Sequence, residues 1–362
     1  MKILLLAGEE SGMLYARALR ERFAGHDVRG YQDCGFATAD LAVFGFAAVL
    51  GKLFFFMRVK RTMQRLIDSW RPDVVCTIDY PGLNLRLAAY AHARGIRTVH
   101  VVCPQVWAWH QDRIPKIEAS LDRLCCFFPF EPALFRSGFA AFYGHPLAKE
   151  FGMSRSERPS RAKALVALLP GSRCGEISRI LPDLLLAAEQ IADADFAIPA
   201  ANAKAFALIS AQVARSPIAD RITVQHGGAR ELLCSANCAA VASGTATLEA
   251  ALAGCPTVLV YRVAPLLAWF ARRVITGTRY IGLANIVWAR CGGGHSAQPM
   301  PELVQEDFTP ESVAAILSEW LSNPASRAAA AARLVETVEK LDMPGDPIAQ
   351  IATEVLHGCK EG

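Results

Sequence analysis

Short apolar runs bounded by glycine, proline or aspartate alternate with helix-length segments along this chain. Lys2–Ala7, Asp73–Ile78, Arg97–Val102 and Leu124–Phe128 read as strands, with Leu14–Phe23 and Leu83–Arg94 as helices between them. Such alternation builds a parallel sheet covered by helices on both faces. A polar stretch from Met153 to Lys163, with Ser154, Ser156, Pro159 and Ser160, interrupts the rhythm and reads as a linker. Beyond it the alternation resumes at Ala164–Leu169, Asp195–Pro199, Ile222–Gln225, Cys238–Val241 and Thr257–Val260. The expected architecture is α/β, with two doubly wound, Rossmann-like parallel-sheet domains facing across a cleft, at residues 1–152 and 153–340. Ser326 to Cys359 is alanine-rich and helical but broken at Pro344-Gly345-Asp346-Pro347, which predicts a last helix, within 341–362, turning back onto the first domain.

Two strand-to-helix junctions in the second half carry glycine. They are Leu168-Leu169-Pro170-Gly171-Ser172-Arg173 and Ala242-Ser243-Gly244-Thr245-Ala246-Thr247-Leu248-Glu249. A junction of this kind aims free backbone N–H groups outward and favours phosphate. Two of them imply a diphosphate held between helix N-termini, with Arg173 as counter-charge and Glu249 accepting from ribose hydroxyls, hence a nucleotide-sugar site.

Length and composition narrow the class. A chain of 362 residues implies two domains. It is 52% hydrophobic with 20% charged residues, high for a soluble protein, which points to membrane association. A net charge of +4 suits anionic lipid or phosphate ligands and is too small to indicate nucleic acid, for which no reading motif is present. The 11 cysteines are odd in number and scattered through apolar segments without a CxxC pair, as befits buried thiols in a reducing cytoplasm. The apolar run of the N-terminus is too short for a signal peptide and reads as a buried first strand.

The stretch from Leu41 to Met57 is interrupted by Lys52 and two glycines and is too short for a spanning helix. Within it Leu53-Phe54-Phe55-Phe56-Met57 is followed by Arg58, Lys60 and Arg61. Three consecutive phenylalanines cannot share one helical face, so at least one points away from the core. An apolar patch with a cationic collar suits an anionic membrane surface; the alternative is a helix buried at a domain or dimer interface, which leaves a homodimer open.

Sugar transfer to a hydroxyl requires a base, stabilisation of the departing diphosphate and a dry cleft. Asp79, ending the strand before Tyr80-Pro81-Gly82, is the candidate base, with a turn or capping role as the alternative. Gly8-Glu9-Glu10-Ser11-Gly12 lacks dinucleotide-fingerprint spacing; Ser11 caps a helix and, with Gly12, is placed to contact an acceptor. Trp107 and Trp109, beside His110, either line the cleft or fill the core. His145 either touches the leaving phosphate or bridges the domains. Asp193-Ala194-Asp195 resembles a metal-binding pair superficially, but a solvated surface is the better reading, and neither metal nor cofactor is predicted.

Together these residues resemble the lipid-A-disaccharide synthases. The likeness rests on the order and spacing of Gly8 to Gly12, Val43-Phe44-Gly45 with Val49-Leu50-Gly51, Ile78-Asp79-Tyr80-Pro81, Pro104 to Trp109, Pro129-Phe130-Glu131, Gly144-His145, Leu169 to Arg173 with Glu176, Ala242 to Glu249, Val260-Tyr261-Arg262, Leu283 with Asn285, and Pro301 to Gln305. The resemblance implies a GT-B fold, metal-independent inverting transfer from UDP-2,3-diacylglucosamine to 2,3-diacylglucosamine 1-phosphate, and release of UDP from a β-1,6 disaccharide. It implies that Asp79 is the base. It places Gly171, Ser172, Arg173, Glu176, Ser243, Gly244, Thr245, Glu249 and Asn285 toward the UDP-sugar donor. Glu9, Ser11, Gly12, Trp107, Trp109 and His145 fall on the acceptor or cleft side, and the Leu53–Met57 patch where the family meets the cytoplasmic face of the inner membrane. The chain departs from the family pattern at Met13, Ala48, Gly82, Lys149, Ala284 and the Gly30-Tyr31-Gln32-Asp33 turn, nearly all on the acceptor side. A UDP-sugar transferase with another lipid-linked acceptor, or a non-catalytic UDP-sugar or lipid-binding relative, is the alternative.

Overall fold

The computed structural model describes residues 1–8, 10–37, 41, 53–152, 163–293 and 297–357, without the side chains of 10, 11, 266, 267 and 270–272. The chain forms two compact units. One contains Met1–Pro146 with Met343–Gly362, the other Leu147–Asp342.

The first unit is built on β1 (Lys2–Ala7), β2 (Asp27–Arg29), β3 (Val74–Ile78), β4 (Arg97–Val101), β5 (Arg123–Cys126) and β6 (Ala140–Phe142). They pair in parallel in the order β2-β1-β3-β4-β5-β6. Successive side chains of a strand point to opposite faces, and in β1 both sets are buried. Ile3 and Leu5 pack with Leu19, Phe23, Ile351 and Val355, while Leu4 and Leu6 pack with Val59, Met63, Ile67 and Leu87. The first face is thus covered by the helices Glu10–Arg22 and Pro347–Leu356, the second by Leu53–Trp70 and Pro81–His92. Glu354 ties the last helix to this sheet, meeting Arg97 at 3.1 Å and Arg123 at 3.3 Å and accepting from the Tyr143 hydroxyl at 2.6 Å.

The second unit repeats the plan with β7 (Ala164–Leu169), β8 (Ala194–Ala200), β9 (Ile222–His226), β10 (Cys238–Ala242), β11 (Thr257–Tyr261) and β12 (Glu302–Val304). These are parallel in the order β12-β11-β10-β7-β8-β9. The helix Pro146–Gly152 is held on this unit by Lys149–Asp342 at 2.7 Å and Glu150–Arg230 at 3.1 Å. The chain passes from the first unit to the second between Pro146 and Leu147, ahead of the polar stretch that reads as a linker.

Each sheet has one place where the strand order reverses direction: between β1 and β3 in the first, and between β7 and β10 in the second. Crossovers there leave opposite faces of the sheet, so a crevice opens beyond the carboxyl ends of the two strands. The junctions singled out by sequence lie beyond these four strands. The short strands β2, β6 and β12 are not foreseen by the hydrophobic pattern; each spans three residues at a sheet edge and is only partly buried. Residues 153–162 of the predicted linker, and 294–296 after the glycine pair Gly292-Gly293, lie outside the described residues.

Candidate active site

In the second unit the loops after β7 and β10 enclose a cavity of about 390 Å³ whose walls include Gly171, Ser172, Arg173, Glu176, Ser243, Gly244, Thr245 and Glu249. Eight of the nine donor-side positions expected from sequence therefore converge. The helices Cys174–Glu189 and Thr245–Leu252 begin at the cavity with Arg173 and Gly244 as N-caps, and neither has a side-chain cap. Their first-turn N–H groups and positive dipole ends remain available to an anion. Gly171 has φ +108°, and a Cβ there would lie 2.7 Å from Glu176 Oε2, so the turn requires glycine. Glu176 in turn holds Arg173 through an Oε1 to Nη1 pair at 2.8 Å. Burial raises the Glu249 carboxyl above the usual range, against a lowering by nearby Arg230.

Asn285 is not brought to this cavity. It is fully buried, donating to Met300 O and Glu302 Oε1 at 2.7 Å each and accepting from Met300 N at 3.1 Å. Glu302 also accepts from the backbone N–H groups of Ile281 and Gly282, both at 3.0 Å. This pair joins the Leu283–Arg290 helix to β12, a structural role that the sequence motif did not separate from ligand contact.

In the first unit Asp79 lies just past β3, at the strand reversal. Both Asp79 and Tyr80 adopt the left-handed region, with φ +50° and +52°. Each such non-glycine residue costs about 1–2 kcal/mol, and strain of this kind gathers where a site must be held in shape. The Asp79 carboxylate accepts from its neighbour Tyr80 N at 2.8 Å. Burial is the larger influence and raises its pKa, partly opposed by that N–H. A carboxylate that is desolvated and lightly bonded is a better proton acceptor than one in water.

The holder of this turn, missed in the sequence, is Asn84. Its side chain is wholly buried and its Nδ2 donates to Leu6 O at 3.2 Å, Ile78 O at 3.0 Å and Asp79 O at 2.8 Å, while Oδ1 accepts from the Tyr31 hydroxyl at 2.7 Å. One amide thereby joins the ends of β1 and β3. Gly8 permits the same closure, because a Cβ there would sit 2.4 Å from Tyr80 Cδ1. Gly12 is buried against Ile78 and Ala7, letting its helix approach the strand ends. Glu9 and the Ser11 side chain lie outside the described residues.

Three expected cleft residues separate. Trp107 is 2% exposed, donates from Nε1 to Glu131 Oε1 at 3.1 Å and stands edge-on to Phe130, so it is a core residue. His145 is 5% exposed between Phe127 and Phe128, and burial lowers its pKa to about 3, leaving a neutral ring enclosed by aromatics. Only Trp109 reaches the surface, at 42% exposure. Cys103, Cys126 and Glu131 place ligand atoms within 4.8 Å of one another in the core. Glu131 already accepts from Trp107 and from Phe127 N and Phe128 N at 3.2 and 3.1 Å, so these groups form a satisfied hydrogen-bonded cluster.

The apolar patch divides as helical geometry requires. Leu53, Phe54 and Met57 share one outward face, with Phe54 83% exposed, while Phe55 and Phe56 turn inward against Phe36 and Tyr80. The patch read as five residues therefore has three exposed members. Arg58 and Arg61 are exposed beside it and Lys60 is half-buried. No helix among the described residues is long and apolar enough to cross a membrane.

Two α/β units, each on a parallel sheet and the second with a crevice between uncapped helix N-termini, have the GT-B fold found in glycosyltransferases. The fold matches the solved structure of spinosyn forosaminyltransferase SpnP, with a TM-score of 0.62 at 17% identity, covering 99% of this chain and 100% of that one. Residues 3–345 match the family model for lipid-A-disaccharide synthetase. The lipid-A-disaccharide synthase of Xanthomonas oryzae pv. oryzae is 36% identical over 90% of this chain and 80% of its own length, and that of Chromohalobacter salexigens 33% over 99% and 98%. The chain belongs to the lipid-A-disaccharide synthase family.

Proposed function

We propose that the chain transfers 2,3-diacylglucosamine from UDP to the 6-hydroxyl of 2,3-diacylglucosamine 1-phosphate, forming the β-1,6 lipid A disaccharide and UDP. Family membership supports this substrate pair, and the observation that carries the chemistry is the second-unit crevice at the β7/β10 reversal.

The N–H groups around Gly171, Ser172, Ser243, Gly244 and Thr245 receive the diphosphate, Arg173 offsets its charge and Glu249 accepts from the ribose. As the acceptor oxygen attacks the anomeric carbon, its proton passes to the Asp79 carboxylate. The bond from that carbon to the diphosphate oxygen breaks, and the electron pair leaves with UDP. Attack opposite the leaving group inverts the configuration. Stabilising charge on the departing diphosphate lowers the barrier without a metal, because the donors are fixed before the charge develops. The exposed Leu53, Phe54 and Met57 with Arg58 and Arg61 rest on the anionic cytoplasmic face of the inner membrane, where the acylated substrates reside.

Purified protein incubated with UDP-2,3-diacylglucosamine and 2,3-diacylglucosamine 1-phosphate yields disaccharide and UDP in equal amounts. Tight UDP binding without product would leave a binding protein that has lost its chemistry. Replacing Leu53, Phe54 and Met57 with Ser releases the protein from anionic vesicles; unchanged sedimentation would remove the membrane role.

A further inference from the structure

A second large cavity lies in the first unit, beside the turn that holds Asp79. It measures about 780 Å³, and its lining includes Pro81 and Gly82, which directly follow Asp79-Tyr80. Four cationic side chains, Lys60, Arg86, Arg113 and Lys116, border it against one carboxylate, Asp112. Asp112 is 79% exposed and turned to His110 at 3.5 Å. Among the described residues none of the four cations pairs with a carboxylate within 4.0 Å. The floor is apolar, formed by Leu85 and Ile117, which are 8% and 3% exposed, and Trp109 stands at the edge.

Four like charges around an apolar floor repel one another until an anion enters, and each charge-assisted contact to that anion is worth about 1.5–3 kcal/mol. Arg17 and Arg20 border another hollow of this unit. It holds only about 150 Å³, and Arg20 there already approaches Asp33 at 3.9 Å. Lys60 comes from the helix Leu53–Trp70, whose first turns carry the exposed Leu53, Phe54 and Met57. A ligand in this cavity therefore meets cations and an apolar floor.

We infer that this cavity binds the phosphate monoester of the lipid acceptor, with Arg86, Arg113 and Lys116 holding the phosphate and Leu85 and Ile117 supporting the sugar and the start of the acyl chains. The inference rests on the transfer reaction proposed above. It adds the residues that read the 1-phosphate of that acceptor.

The test is the triple variant Arg86→Gln/Arg113→Gln/Lys116→Gln, whose positions are exposed or half-exposed and whose fold is checked by thermal unfolding. With acceptor in neutral detergent micelles, its acceptor KM rises tenfold or more, while the donor KM stays within twofold of the unaltered enzyme. An acceptor lacking the phosphate is used equally poorly by both proteins. Lys116→Arg within the triple variant recovers part of the loss. An unchanged acceptor KM overturns the inference. So does loss of binding to phosphatidylglycerol vesicles with the micellar acceptor KM retained, since the cations would then meet bulk membrane lipid. If the unaltered protein makes no disaccharide, titration with glucosamine 1-phosphate, followed by phosphorus NMR, judges the cavity separately. Binding abolished by the triple variant sustains it, and equal binding or none overturns it.

Discussion

Asn84→Ala tests whether one buried amide holds the Asp79 turn. The substitution removes two N–H donors that serve Leu6, Ile78 and Asp79 carbonyls and the acceptor of the Tyr31 hydroxyl. The two lost N–H donors cost about 1 kcal/mol each, and a buried hydroxyl left without its acceptor costs about 1–3 kcal/mol more. The sum, about 3–5 kcal/mol, corresponds to a fall of about 10 °C in the unfolding temperature of a unit this size. The left-handed strain at Asp79 and Tyr80 totals about 2–4 kcal/mol, similar to what the amide contributes, so the freed turn relaxes and carries the carboxylate from its position. Misplacement by about 1 Å lowers kcat by about a hundredfold. Calorimetric unfolding, kcat for disaccharide formation and titration with UDP read the three consequences. UDP affinity stays within twofold, because the donor residues belong to the other unit. An unfolding temperature lowered by less than 2 °C would refute the clamp. A fully retained kcat in a clearly destabilised variant would refute its link to Asp79.

Asp79→Asn lowers kcat by about 10²- to 10⁴-fold. Because burial raises the Asp79 pKa, the acid limb of the wild-type rate profile falls at a pH above that of an ordinary aspartate; an unchanged limb in Asp79→Asn would assign the base elsewhere. Gly171→Ala forces a residue with Cβ into φ +108° and against Glu176. It costs about 1–2 kcal/mol and weakens UDP binding by about tenfold, and equal calorimetric affinity would show that the turn does not hold the diphosphate. Burial raises the Glu131 pKa to about 8 from 4.5, so between these values the folded protein holds a proton that the unfolded chain has released. Its stabilising effect is complete below the unfolded value and is lost as pH rises through about 8. Urea unfolding across this window should show stability falling with pH in the parent and flattening in Glu131→Gln; equal slopes would sink the assignment.

Much of the fold is readable from the chain because parallel strands buried on both faces leave long apolar runs, as in β1, β3, β7 and β10. The edge strands β2, β6 and β12 leave almost no such trace, being short and half-exposed. The donor turns are legible because φ and close approach restrict the residue type, as at Gly171. Asn84 is not, since an asparagine inside a helical pattern looks the same whether it faces water or binds three carbonyls. Trp107, His145 and Asn285 show the converse: their chemistry suggests ligand contact, yet neighbours distant in sequence already satisfy or enclose them.

The sequence by itself determined the alternation of strand and helix, the glycine-bearing junctions and the acidic residue at the end of β3. Tertiary structure decided which strands are neighbours, and with them the two places where a crevice can open. β7 pairs with β10 across the intervening β8 and β9, a choice made by crossover packing on the two faces of the sheet and not encoded in either strand's apolar pattern. It also decided which side chains stay available. Burial and hydrogen bonding depend on every element packed around a residue, whereas local pattern reports only on its own.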